Sequence, residues 1–389
     1  MKKMKILGFL LILTILLPQA LYASEGQKGL ALTINAKSAV IMEVSSGKII
    51  FEQNADARLS PASVTKVMTM LLIYEALAQN RIGWEDIVTV SDYAASMGGS
   101  QIFLEPGEQQ NVRDLVKSIV IASANDAAVA MAEYVSGSEE SFVDLMNKKA
   151  RNLGMQNSSF QNACGLDAEG HFSSAKDIAI MSREIMQKYP EVQEYTTTWM
   201  DSITHKTTRG EEEFGLTNTN KLVRQYNGTT GLKTGSTSQA LYCLSATASR
   251  GDMELIAVIM AAPDPATRFG EAMKMLDYGY ANYKVVKGEI PGTVVGSVPV
   301  QKGKVDEVCV MIENLVSSVT EKGSNGELEA QIFIEERIVA PVDAGMPVGE
   351  IVYTYEGLEI GRSSLITEES VVRAGFLDVV NRMFGLWFR

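Results

Sequence analysis

The residues best suited to nucleophilic chemistry are Ser63 and Lys66, in the run Ser63-Val64-Thr65-Lys66. Residues three apart share one face of a helix, so the lysine amine can reach the serine hydroxyl. A serine hydroxyl is a weak nucleophile until a base takes its proton. A lysine is such a base only when neutral, and burial favours the neutral form. A helix start also offers backbone N–H groups and a positive dipole end to developing negative charge. The spacing alone is not selective, because Ser45 to Lys48 and Ser173 to Lys176 share it. The first pair falls on a predicted hairpin turn. The second lies ahead of an ordinary helix, where Ser173 reads as the cap. Only Ser63 heads a long apolar helix.

Two further segments carry polar groups where apolar ones are expected. Ser123-Ala124-Asn125 interrupts an apolar stretch that runs from Ser118 to Met131. Buried polar groups need partners. Ser123 can relay a proton and Asn125 can hold a substrate amide, although the segment by itself also reads as a helix cap. Lys233-Thr234-Gly235 lies in GTTGLKTGSTSQALYCL. Gly235 permits close approach of a substrate to a strand edge, and Lys233 and Thr234 can bind a carboxylate. Taken alone, this tripeptide is compatible with an ordinary turn.

The elements that must position these groups follow from periodicity. Residues 38–53 read as a hairpin around Ser46-Gly47. Val67, Met70, Leu71, Tyr74 and Leu77 recur at helical spacing, which predicts a buried helix beginning near Ser63. Further helices are predicted over Val112–Val135, Glu140–Asn152, Ala175–Lys188 and Pro265–Tyr283. Two strands are expected between Gly228 and Ala248, and another over Glu254–Ala261. Strands at both sequence ends of a helix-rich interior predict an α+β fold, its sheet closed by its first and last strands. After about Val285, short β-rich runs (Thr293–Val300, Val308–Ile312, Ala330–Ile334, Glu350–Tyr355) alternate with turn residues. They predict a small all-β domain.

The chain has 389 residues, a net charge of −12, 46% hydrophobic and 21% charged residues. Those fractions suit a folded globular protein rather than a disordered or polytopic membrane chain. The acidic balance argues against a broad nucleic-acid surface, which needs clustered Lys and Arg. Cys164, Cys243 and Cys309 lie far apart, with neither zinc spacing nor a disulfide framework. The only histidines are His171 and His205, which disfavours His-based metal sites and a Ser-His-Asp triad. His171 reads as structural, and His205, in a polar stretch, as exposed. Asp177 reads as a brace for the helix behind the site, and Met97-Gly98-Gly99-Ser100 as a mobile loop beside it.

The chain opens with Met1-Lys2-Lys3-Met4-Lys5, an apolar run from Ile6 to Leu17, and Ala23 as a small residue for cleavage. This reads as a secretory signal, because twelve apolar residues fall short of the about 20 that span a bilayer. Removing residues 1–23 deletes three lysines and no acid, which takes the net charge to −15. From Phe376 to Arg389, Asp378, Arg382, Gly385 and Arg389 share one helical face and apolar residues cover the rest. The helix is strongly amphipathic and suited to lie in a membrane interface. The expected layout is a signal peptide (1–23), a catalytic domain (24–284), a β-rich domain (285–364) and an amphipathic helix (365–389).

Together the three motifs are selective. An SxxK on a helix, an SxN in a buried segment and a KTG on a strand, in that order, form the signature of serine penicillin-recognising enzymes. The chain resembles a low-molecular-mass penicillin-binding protein of the serine-type D-alanyl-D-alanine carboxypeptidase family. The resemblance extends to the secretory signal, PASVTK, the Asn162-Ala163-Cys164-Gly165-Leu166 run, GLKTG, the β-rich domain with Ala340-Pro341, and the amphipathic tail.

The resemblance implies a β-lactamase/transpeptidase-like catalytic domain and a role for each matching residue. Ser63 would be the acylated nucleophile, Lys66 the general base, and Ser123 the shuttle of a proton to the departing D-alanine. Asn125 would bind the peptide side of the substrate. Lys233 would supply positive charge, Thr234 would bind the terminal carboxylate, and Arg268 would meet the same group. The N–H groups of Ser63 and Ser236, beside Gly235, would form the oxyanion hole. No metal or cofactor is implied. The implied partners are peptidoglycan stem peptides ending in D-Ala-D-Ala, β-lactams, and the outer face of the cytoplasmic membrane. Two alternatives stay open: a β-lactamase of the same superfamily, and a non-catalytic penicillin- or peptidoglycan-binding sensor.

Overall fold

A computed structural model describes residues 32–207 and 210–380. The secretory signal and the last part of the tail lie outside the described residues.

The catalytic unit is built on an antiparallel sheet of five strands. In spatial order they are Ile49–Gln53, Ser38–Glu43, Met253–Ala262, Leu241–Arg250 and Thr229–Thr237. The first long strand therefore pairs with the last, Ala39 opposite Ile259 and Ile41 opposite Ala257. This is the closure expected from the sequence. Thr229–Thr237, which carries Lys233-Thr234-Gly235, forms one edge of the sheet.

A helical cluster covers one side of the sheet. Its centre is the helix Lys66–Ala78, on which Val67, Met68, Met70, Leu71 and Ile73 are buried, together with Lys66. A helix buried on nearly every side needs no amphipathic stripe, which is why its apolar residues are spread around the axis. Helices Glu139–Asn152, Ala175–Lys188 and Pro265–Asn282 match the expected ones within a residue.

The expected helix Val112–Val135 is not continuous. It runs as Val112–Lys117, widens into a single π-type turn over Ser118–Ala122, breaks at Ser123, and resumes as Asn125–Ser136. Ser123 takes a left-handed conformation with φ 63°. Both halves are buried on either side of the break, so the sequence pattern did not reveal it. The cap of Ala175–Lys188 is also one residue later than expected. Ser174, not Ser173, accepts the N–H of Asp177.

The β-rich part begins with the strand Tyr283–Lys287, which straddles the boundary drawn at 284/285. A six-stranded sheet follows, with its own core of Val298, Val310, Ile351, Tyr353 and Leu365. Its last strand extends to Thr367, and Val371 and Arg373 form bridges with Val342 and Gly303. Helix therefore starts at Phe376, later than the boundary at 365. Cys164 and Cys243 are buried free thiols, and Cys309 is an exposed one.

Candidate active site

Ser63 sits in a short 3-10 turn, Ala62–Thr65, that leads directly into the helix Lys66–Ala78. Two glycines press on this turn from either side. A Cβ on Gly165 would lie 1.9 Å from the Ala62 carbonyl oxygen, and Gly165 has φ +88°. A Cβ on Gly235 would lie 2.9 Å from the Ser63 nitrogen and 2.8 Å from the Pro61 oxygen. Only glycine allows the edge strand to close against the nucleophile's backbone. Ala62 itself adopts φ 48°, a conformation that non-glycine residues hold only where the surroundings enforce it.

Lys66 is fully buried, and its Nζ has three partners. It lies 3.1 Å from Ser63 Oγ, 2.5 Å from Asn125 Oδ1 and 2.7 Å from the Cys164 carbonyl oxygen. The last two groups can only accept. A neutral amine has two N–H donors and one lone pair. Once both donors serve Asn125 and Cys164, the lone pair is left for the Ser63 O–H. Burial brings the Lys66 pKa down to about 8, so the neutral form is accessible near neutral pH.

Asn125 is held by its own contacts. Its Nδ2 donates to the Gly98 carbonyl and its backbone N–H to the Ser100 carbonyl. The neighbouring Asp126 carboxylate accepts the N–H groups of Ile102, Leu104 and Ala127. The loop 97–100, expected to be mobile, and the segment that follows it to Leu104 are thus fastened to the head of the helix Asn125–Ser136. Ser123 is buried, and its hydroxyl has no hydrogen-bond partner among the described residues. It stands at the helix break rather than within a helix.

Lys233 is also fully buried, and burial, with Lys66 and Arg268 nearby, holds its pKa well below the usual value. Among the described residues its Nζ reaches only the Thr234 carbonyl, at 3.2 Å. Thr234 Oγ1 donates to Thr219 Oγ1 at 2.7 Å. Arg268 donates through Nη1 to the carbonyls of Gly235 and Cys243, and its buried Nε has no partner among the described residues. Among the described residues no carboxylate forms an ion pair with Lys66, Lys233 or Arg268. A buried cation without a counter-ion is costly, so Lys233 and Arg268, unlike the Lys66 amine, are suited to an anion that arrives from outside.

The structure thus joins Ser63, Lys66 and Asn125 by direct bonds. Gly235 packs on the Ser63 turn, Lys233 and Thr234 lie along the same strand, and Arg268 reaches that strand from the helix Pro265–Asn282 through the Gly235 carbonyl. Sequence reasoning missed the acceptors contributed by backbone, those of Cys164, Gly98 and Ser100, because a carbonyl leaves no mark in a sequence. It also missed Asp126 and Thr219.

The histidines divide. His171 Nδ1 accepts the Gln161 N–H, so Nε2 carries the proton and faces Thr65 Oγ1 at 2.8 Å. Burial lowers its pKa to about 4, and both ring nitrogens have protein partners. His205 is not exposed. It is largely covered, and its Nδ1 lies 2.7 Å from the buried Glu108 carboxylate, which raises its pKa. The polar residues around it line a hairpin (Met200–Thr207 with Gly210–Thr217) that packs down on that carboxylate. Asp177 braces the loop before its helix, accepting from Asn157 N and Ser158 Oγ.

A serine hydroxyl within reach of a buried amine one turn along, beside buried basic side chains at a sheet edge, is the arrangement of a serine acyl-transfer enzyme of the penicillin-recognising class. Residues 24–264 match the family described as D-alanyl-D-alanine carboxypeptidase, and residues 284–373 match the penicillin-binding protein 5 C-terminal domain. The chain is 42% identical to D-alanyl-D-alanine carboxypeptidase DacF of Bacillus subtilis, over 95% of this chain and 94% of that one. It is 36% identical to DacC of Escherichia coli, over 92% and 90% respectively. Penicillin binding protein 5 from Haemophilus influenzae superposes with a TM-score of 0.75 at 31% identity, covering 89% of this chain and all of that one. The chain belongs to the peptidase S11 family of serine-type D-alanyl-D-alanine carboxypeptidases. Membership in this family supports the carboxypeptidase reading over the β-lactamase and sensor alternatives.

Proposed function

We propose that Ser63 attacks the carbonyl of the penultimate D-alanine of a peptidoglycan stem peptide, with Lys66 as the base. The terminal D-alanine departs, its nitrogen taking a proton relayed through Ser123. Water then hydrolyses the ester on Ser63 and releases the shortened peptide. Asn125 holds the peptide side of the substrate. Lys233, Thr234 and Arg268 receive the terminal carboxylate, the anion that the unpaired cations lack. The N–H groups of Ser63 and Ser236 stabilise the tetrahedral oxyanion. A β-lactam acylates the same serine.

The observation that carries this reading is the set of partners around Lys66 Nζ. Two fixed acceptors lie at 2.5 and 2.7 Å and Ser63 Oγ at 3.1 Å, so a neutral amine that donates to the first two keeps its lone pair for the serine O–H. Intact-mass measurement after exposure to benzylpenicillin tests it. One adduct is expected on the native protein and none on Ser63→Ala. An adduct that persists in the variant would move the nucleophile elsewhere.

We further propose that the protein is exported by its N-terminal signal and rests on the outer face of the cytoplasmic membrane. No described helix is long and apolar enough to cross a bilayer. Phe376, Leu377 and Val379 are exposed at the start of the tail, which supports an interfacial attachment. Full-length protein should float with phosphatidylglycerol-containing vesicles, and protein truncated after Ala374 should not. Equal flotation of both would refute attachment through the tail.

A further inference from the structure

The direction in which a bound peptide must run is set by two features of the edge strand Thr229–Thr237. The cationic groups for a terminal carboxylate lie at Lys233 and Thr234, and the proposed oxyanion donor, Ser236, lies two residues further on. A substrate that places its carboxylate at the first and its scissile carbonyl at the second is travelling toward Thr237. Its upstream residues must therefore lie where this strand ends.

An open groove begins there, lined by Arg58, Ser60, Asp167, Glu169, Phe172 and Gln239 among others. Asp167 is fixed in it. Ser60 Oγ and Thr237 Oγ1 both donate to its Oδ1, at 3.0 and 2.9 Å. Its Oδ2 has no partner among the described residues. These donors tie the carboxylate to both walls of the cleft, because Ser60 precedes the nucleophile turn and Thr237 ends the edge strand. Glu169 adds a second exposed carboxylate. Opposite charge is supplied by Arg58. Its guanidinium stacks over Phe172 at 5.0 Å, and its Nε donates to Asn157 Oδ1 at 3.1 Å. Both terminal nitrogens remain without a partner among the described residues. A guanidinium fixed in this way presents a fork suited to a carboxylate.

We infer that this groove is a specificity subsite for the residue preceding D-Ala-D-Ala, and that it selects a side chain ending in both an ammonium and a carboxylate. Asp167 and Glu169 receive the ammonium, and Arg58 receives the carboxylate. A diamino-diacid at the third stem position has that chemistry. Lysine, which ends in an ammonium alone, engages only the acidic wall. The inference rests on the proposed placement of the terminal carboxylate at Lys233 and Thr234.

Two peptides ending in D-Ala-D-Ala, identical except for a diamino-diacid or a lysine at the third position, provide the test on the full-length protein. D-alanine release is measured for each. One exposed charged contact of this kind gives about a 1.5- to fivefold higher kcat/KM for the diamino-diacid. Arg58→Ala should bring the two substrates level, and Arg58→Glu should reverse the preference toward lysine. Acylation by benzylpenicillin, followed on each protein, reports whether the fold and Ser63 are intact. Equal turnover of both peptides by native enzyme that is acylated normally would overturn the subsite alone. A preference that survives both Arg58 substitutions would overturn it as well. Native enzyme that benzylpenicillin does not acylate would overturn the functional reading beneath it.

Discussion

Replacing Asn125 by Asp keeps the shape of the side chain and puts a negative charge where Oδ1 now lies 2.5 Å from Lys66 Nζ. An opposite charge at that separation favours the protonated amine and raises its pKa by about 1–3 units. Burial sets the native value at about 8, so the variant's value moves to about 10 for a shift of about 2 units. At pH 8 about half of the native molecules hold Lys66 neutral, against about one in a hundred of the variant. If the neutral amine is the base, acylation at pH 8 slows about fiftyfold. The rising limb of the pH–rate profile moves up by the same about 2 units. The sign follows from the base being active only when deprotonated. Rates must rise with pH through the Lys66 pKa in both proteins, and the variant must recover in alkali. Second-order acylation by a fluorescent penicillin between pH 6 and 10.5 measures this. A variant whose rising limb stays near pH 8, whatever its absolute rate, would show that Lys66 is not the titrating base.

Other outcomes follow from the same geometry. Gly235→Ala puts a methyl group 2.9 Å from the Ser63 and Val64 nitrogens, so the nucleophile turn must shift. Acylation should slow about a hundredfold with the fold retained, as expected for a misplacement approaching 1 Å; a native rate by stopped flow would contradict the close approach. His171 stays neutral in the folded state down to about pH 4, while its unfolded pKa is 6.5. The unfolded chain therefore binds the extra proton between those values, and stability falls as pH falls through that window. The contribution is up to about 3 kcal/mol. Urea unfolding at pH 7 and pH 4.5 should show a smaller acid loss in His171→Gln than in the native protein, and equal losses would refute it.

Sequence alone determined the order of the three motifs, the helix behind Ser63, the closing of the sheet by its first and last strands, and the change of texture near residue 285. These follow from local spacing and apolar periodicity, which report which face of an element is buried. It could not show that the helix breaks at Ser123, because burial is continuous on both sides of the break. Nor could it show the covering of His205, which depends on a hairpin brought against Glu108 from about a hundred residues away. Tertiary structure alone decided the protonation chemistry. Lys66 is an ordinary lysine in the sequence and a candidate base only because folding removes water from it and sets Asn125 Oδ1 and the Cys164 carbonyl on its two donors. Desolvation and the pairing of distant acceptors are properties of the assembled interior, and no local pattern of residues encodes them.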